Sequence, residues 1–95
     1  MKFLLDYDFT QDEIEKFSKN IPPMLLESIF NSYRLISQNL DSLKEMGVTN
    51  YKEIFIKFYD MFLMDNSNFM NVFNKYDRED LVEKLIKNSD IVEFL

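Results

Sequence analysis

Apolar residues recur along most of the chain at spacings of three and four, and no stretch sustains the alternation of a strand. The first helical signal is Thr10-Gln11-Asp12-Glu13. A Thr at the N-cap with Glu three residues later satisfies two orphan backbone donors reciprocally, which predicts a helix from about Gln11 to Asn20. Its Ile14, Phe17 and Ile21 form one stripe, and Pro22-Pro23 ends it. Proline is favoured in a first helical turn, so Pro22-Pro23-Met24-Leu25-Leu26 predicts a short helix or 3₁₀ turn directly afterwards. A longer helix is expected from about Asn31 through Leu35, Ile36, Leu40, Leu43 and Met46. Gly47, the only glycine, stands where a left-handed C-terminal cap is wanted.

Asn50 with Glu53 repeats the capping pattern and predicts a helix through Tyr51, Ile54, Phe55 and Phe58. Asp65 to Ser67 supply caps for another running to Tyr76, and Asp77 and Asp80 open one containing Leu81, Leu85 and Ile86. Asn88-Ser89-Asp90 breaks that helix, leaving Ile91 to Leu95 as a short turn packed on the body. The expected fold is all-α, with about five to seven short helices and no sheet. With no linker or low-complexity stretch, residues 1–95 form one domain.

Laying the segments that begin at Ile14, Tyr51 and Leu81 over one another gives offsets of 37 and 30 residues. Thr10, Gly47 and Asp77 then coincide, and Leu43-Lys44-Glu45-Met46 lies over Phe73-Asn74-Lys75-Tyr76. The chain divides into units of residues 10–46, 47–76 and 77–95, each a short helix, a breaker and an apolar turn, with a return helix in the first two. A period of this length marks a helical repeat array, whose units bury their apolar faces only by stacking. The expected arrangement is a small right-handed or irregular array of helix-turn-helix units.

Leu43-Lys44-Glu45-Met46-Gly47-Val48, followed by Tyr51 to Ile56 and then Lys57-Phe58-Tyr59-Asp60-Met61-Phe62-Leu63, resembles the repeat of the mitochondrial transcription termination factor family. That repeat couples a leucine-rich helix ending in Gly to a short helix and a Pro-containing apolar turn. Pro22 keeps the proline in the first unit, whereas Tyr59 and Ser89 replace it in the others. The resemblance covers roughly residues 9 to 95 and implies a stacked helical array with a basic groove for nucleic acid. Family members are longer arrays, while this chain holds at most two and a half units.

Charge pulls against that implication. The net charge is −6 and the pI near 4.5, whereas proteins that neutralise nucleic-acid phosphates carry a concentrated basic face. The same repulsion disfavours anionic membranes, and no apolar run is long enough for a signal-peptide core or a membrane span. The absence of cysteine removes disulfides, thiolate nucleophiles and thiolate metal sites, and makes a reducing, cytoplasmic setting the expectation. Ten Phe and five Tyr predict an aromatic core.

Neither His nor Cys is present, so the usual nucleophile and base pairs are missing. Asp6-Tyr7-Asp8-Phe9-Thr10-Gln11-Asp12 has the alternating oxygens of a calcium loop, but Gln11 stands where the loop needs Gly and Phe17 where it needs a bidentate Glu. It reads as a cap and turn. Asp77-Arg78-Glu79-Asp80 likewise reads as acidic side chains stabilising a helix N-terminus, with no phosphate loop or nucleophile beside it. The expectation is a non-enzyme without metal, cofactor or small-molecule substrate.

Two surfaces remain. Tyr51 to Met64 is apolar on nearly every face, and full enclosure of such a helix is difficult in so small a domain. Tyr51, Phe55, Ile56, Phe58, Tyr59 and Phe62 are therefore the candidate interface for a protein partner or a second copy. Each short helix also carries two lysines, Lys16 and Lys19, Lys52 and Lys57, Lys84 and Lys87, which in a stacked array would form a ladder facing a phosphate backbone. Their alternative role is compensation of helix dipoles. The leading expectation is a protein-interaction module, with a nucleic-acid-binding mini-array and an acidic inhibitor or nucleic-acid mimic as alternatives.

Overall fold

A computed structural model describes all 95 residues and contains six α-helices, three 3₁₀ helices and no strand. Thr10 starts α1 (Gln11–Lys19) with a closed capping box. Its Oγ1 accepts from the Glu13 amide at 3.1 Å, and the Glu13 carboxylate accepts from the Thr10 amide at 2.9 Å. Pro23 opens α2 (Pro23–Asn31), where its missing N–H is no loss. The long helix expected from Asn31 begins instead at Tyr33, because Ser32 separates α2 from α3 (Tyr33–Met46). Gly47, at φ 92°, ends α3 in a left-handed cap. The Val48 amide donates to Leu43 and the Gly47 amide to Lys44, both at 3.0 Å, which satisfies the last carbonyls.

α4 (Tyr51–Lys57) starts where the sequence places it, by a different device. Asn50 makes no capping bond. Its Nδ2 donates to the Leu85 carbonyl at 2.8 Å and ties the start of α4 to α6 (Arg78–Lys87). The helix then stops at Lys57 instead of continuing through Phe58, and residues Tyr59–Leu63 form a 3₁₀ turn that carries Phe62 inward. Asp65 and Asp77 cap α5 (Asn66–Asn74) and α6 as expected, accepting from the amides of Asn68 and Asp80. A last 3₁₀ helix spans Ser89–Phe94. The 3₁₀ helix at Lys2–Tyr7 has no counterpart among the predicted elements.

α3 is the centre of the molecule and packs against α2, α4, α5, the N-terminal 3₁₀ helix and the Tyr59–Leu63 turn. Twenty-one buried apolar residues form one continuous core. A chain of rings threads it: Phe9 to Phe55 at 5.9 Å between centroids, Phe55 to Phe62 at 5.2 Å, Phe62 to Phe69 at 5.1 Å and Phe69 to Phe73 at 5.0 Å. The order α-helix, α-helix, 3₁₀ helix occurs twice, over Tyr33–Leu63 and again over Asn66–Phe94. Leu43 and Phe73, Tyr51 and Leu81, Phe55 and Leu85, and Phe62 and Val92 lie thirty residues apart and are all interior.

The N-terminal 3₁₀ helix is held down by two buried phenols. Tyr7 donates to Asp41 Oδ1 at 2.8 Å, with the Ser37 carbonyl at 3.0 Å. Tyr51 Oη lies 3.0 Å from the Tyr7 carbonyl and 2.9 Å from Asp8 Oδ2, and Lys44 Nζ sits 5.6 Å from each ring centroid. Burial pushes both phenols up to about 12, helped by Asp41 beside Tyr7 and Asp8 beside Tyr51. Unfolded tyrosine ionises near 10.0, so above that pH the unfolded chain loses protons that the folded chain keeps. Stability is therefore fully present below pH 10.0 and falls as pH rises through about 12. Urea midpoints measured across that window should decline for the wild type and decline less for a Tyr7→Phe/Tyr51→Phe variant. Equal declines in the two proteins would refute this assignment.

Candidate protein interface

The six apolar residues singled out in the sequence do not form one surface. Tyr51, Phe55 and Phe62 are interior, with Phe55 and Phe62 fully enclosed, so these three are core residues and present nothing to a partner. Phe58 and Tyr59 are half-buried, Tyr59 standing edge-on to Phe17 at 5.6 Å. Ile56 alone is exposed, at 40%. With Tyr59, Phe17 and Ile21 it lines a small groove of about 320 Å³ between α1 and α4. The enclosure comes from several elements: α3 and the last 3₁₀ helix pack on α4, Phe9 and Phe17 meet Phe55, Phe69 meets Phe62, and Tyr51 bonds the Tyr7 carbonyl.

The lysine ladder is largely neutralised. Lys52 pairs with Glu13 at 3.0 Å and donates to the Asp8 carbonyl at 2.8 Å. The Thr10 amide and Lys52 together hold the Glu13 carboxyl below its ordinary range. Lys57 reaches Asp90 at 3.1 Å, Glu53 at 3.2 Å and the Ser89 hydroxyl at 3.0 Å, linking α4 to the last 3₁₀ helix. Asp90 and then Glu53 raise its ammonium above the usual value, and Asp80, 2.9 Å from Lys84, does the same there. Lys87 pairs with Glu83 at 3.0 Å. Of the six lysines only Lys16 and Lys19 stand outside an ion pair.

The acidic clusters are taken up in the same way. Asp8 adopts a left-handed conformation at φ 67° and accepts from Tyr51, while Asp77 caps α6 and Asp80 pairs with Lys84. No three carboxylates converge. No helix is long and apolar enough to cross a membrane.

Three of the nine exposed large apolar residues lie on α2. Its core-facing residue is Ile29, fully buried, whereas Met24 is 84% exposed, Phe30 60% and Leu25 37%. Residues 20–33 contain one charged side chain, Glu27, in a chain that is 29% charged. Charge depletion with exposed Met and Phe is the composition of an interface centre. Beside this helix runs an open groove of about 660 Å³. Gln11, Ile14, Glu15 and Ser18 of α1 line one side, Pro23, Leu26, Glu27 and Phe30 of α2 line the other, and Met1 and Lys19 complete the lining. Each set follows the spacing of a single helix face over about two turns, roughly 10 Å. The groove thus runs between a face of α1 and a face of α2.

Sequence reasoning placed a helix at Pro22-Pro23-Met24 but passed over its surface, because the greater density of aromatics in Tyr51–Met64 drew attention there. The charge gap between Lys19 and Arg34 was the available signal. Near the C-terminal end, exposed Tyr76 and Phe94 flank half-buried Ile91. No protein-family model, curated protein or solved structure matches the chain.

Proposed function

We propose that this protein is a non-enzymatic helical interaction module that docks a helical segment of another protein in the furrow between α1 and α2. The observation that carries this reading is the exposure of Met24 and Phe30 beside an apolar groove built from two helix faces. An amphipathic helix laid in such a groove recovers the apolar burial that a small domain leaves incomplete. The absence of His and Cys, and the use of the clustered carboxylates as caps and ion-pair partners, favour binding over chemistry.

The test uses the intact chain and a Met24→Asp/Phe30→Asp variant. Both positions are exposed, so the variant should retain its stability to within about 0.5 kcal/mol. Proteins retained by the immobilised wild type and lost with the variant are identified, and each is then titrated directly against both forms. At least about tenfold weaker binding to the variant is expected, as for anchors at an interface centre. Partners bound equally by both forms would refute the α2 surface. A dimer dispersed by the substitutions would assign the surface to a second copy.

A further inference from the structure

Glu15 on α1 and Glu27 on α2 stand on opposite walls of the furrow, and neither belongs to any of the five ion pairs in the molecule. Glu27 lies midway between Met24 and Phe30 in sequence, three residues from each, so it sits at the centre of the exposed apolar stripe on α2. A carboxylate there is costly to cover with an uncharged surface, because docking strips its water and offers nothing in return. It is equally unfavourable to cover with a second copy. An isologous pairing centred on this stripe sets Glu27 against Glu27 at the two-fold axis, between two molecules each carrying a net charge of −6.

From this placement we infer that the furrow between α1 and α2 is a site for a basic amphipathic helix. Apolar residues at i and i+4, about 6 Å apart like Leu26 and Phe30 themselves, cover those two side chains, and a Lys or Arg beside them meets Glu27. This inference rests on the reading of α2 as a docking surface and adds the charge of what docks. The net negative charge steers such a helix towards the molecule from a distance, and the carboxylate pair fixes its register once it arrives. Lys19, at the end of the groove where α1 turns into α2, favours the negatively polarised C-terminal end of the incoming helix and so sets its direction.

The probe is a phage-displayed library of random peptides about four helical turns long, selected on the intact protein at low salt. The selected peptides are expected to carry apolar residues at helical spacing with a net positive charge. Their affinity should fall by about tenfold with Glu27→Lys and by at least as much with Phe30→Asp. Neutral or acidic winners, no winners, or winners indifferent to Glu27→Lys overturn the basic helix. If a natural partner is still lost with Met24→Asp/Phe30→Asp, the docking surface survives that result. If winners and natural partners alike ignore Phe30→Asp, both readings fall together.

Discussion

Replacing Phe55 by alanine is expected to lower the unfolding free energy by about 3–5 kcal/mol, near the top of the range for truncated core aromatics. Phe55 is fully buried, and its ring stands within 5.9 Å of Phe9, 5.1 Å of Phe17 and 5.2 Å of Phe62. Those neighbours belong to the segment before α1, to α1 itself and to the Tyr59–Leu63 turn. The space vacated by the ring is thus walled by separate elements, each anchored elsewhere. Phe62 bears on Phe69, and α1 is fixed at its start by the Thr10 box and the Lys52 to Glu13 pair. A cavity whose walls are independently held collapses poorly, and the cost grows with the volume left open. Urea denaturation of Phe55→Ala beside Phe30→Ala provides the check. Phe30 is 60% exposed, and its truncation should cost less than about 0.5 kcal/mol. Similar losses for the two substitutions would mean that the ring chain is not the centre of the core.

The same contrast shows how much of the molecule could be read from its sequence. Local signals transferred well: Thr10 with Glu13, Gly47, Asp65 and Asp77 mark helix ends where the structure has them, because each acts on backbone groups within its own turn. Asn50 has the right residue type at the right place, yet its amide serves the Leu85 carbonyl. That partner lies thirty-five residues away, and nothing local announces it. The offset of thirty residues between Tyr51 and Leu81 was legible as a pattern of apolar positions, and both residues are interior.

Three of the six residues of the surface expected around Phe58 are interior for a related reason. Tyr51, Phe55 and Phe62 were too apolar for a helix half in water, and enclosure in so small a domain looked difficult. Their cover comes from several elements: α3, the Tyr59–Leu63 turn and the last 3₁₀ helix pack on α4, Phe9 and Phe17 meet Phe55, and the 3₁₀ helix Lys2–Tyr7, which no sequence signal marked, binds Tyr51 through the Tyr7 carbonyl. Which apolar helix stays open is therefore decided by long-range packing, while composition fixes only that some apolar helix must. The lysine ladder was legible as periodicity, but pairing across elements, as in Lys57 with Asp90 and Lys52 with Glu13, decides how much charge it presents.

Asn39 is the interior group that no sequence signal singled out, and its removal should rank with the loss of Phe55. It lies on α3 with no solvent exposure, and its amide donates to the carbonyls of Phe62 at 2.9 Å and Met64 at 2.8 Å. Its own carbonyl accepts from Asn66 at 3.0 Å, and Asn66 also donates to the Ser42 hydroxyl at 2.9 Å. The two acceptors belong to the end of the Tyr59–Leu63 turn, where carbonyls lack partners within the helix. Asn39 thus closes the turn that carries Phe62 into the ring chain. Asn39→Leu keeps the volume but leaves both carbonyls and one Asn66 donor unpaired, at about 1–3 kcal/mol for each group that stays dry. A loss of about 3 kcal/mol or more is expected. Asn39→Asp sharpens the test, because a carboxylate offers no donor to either carbonyl, whereas the protonated acid offers one. Its pKa is raised in the folded state, so its stability should recover as pH falls, relative to wild type measured at the same pH. A constant deficit across pH would show that the donor function of Asn39 is not what holds the turn.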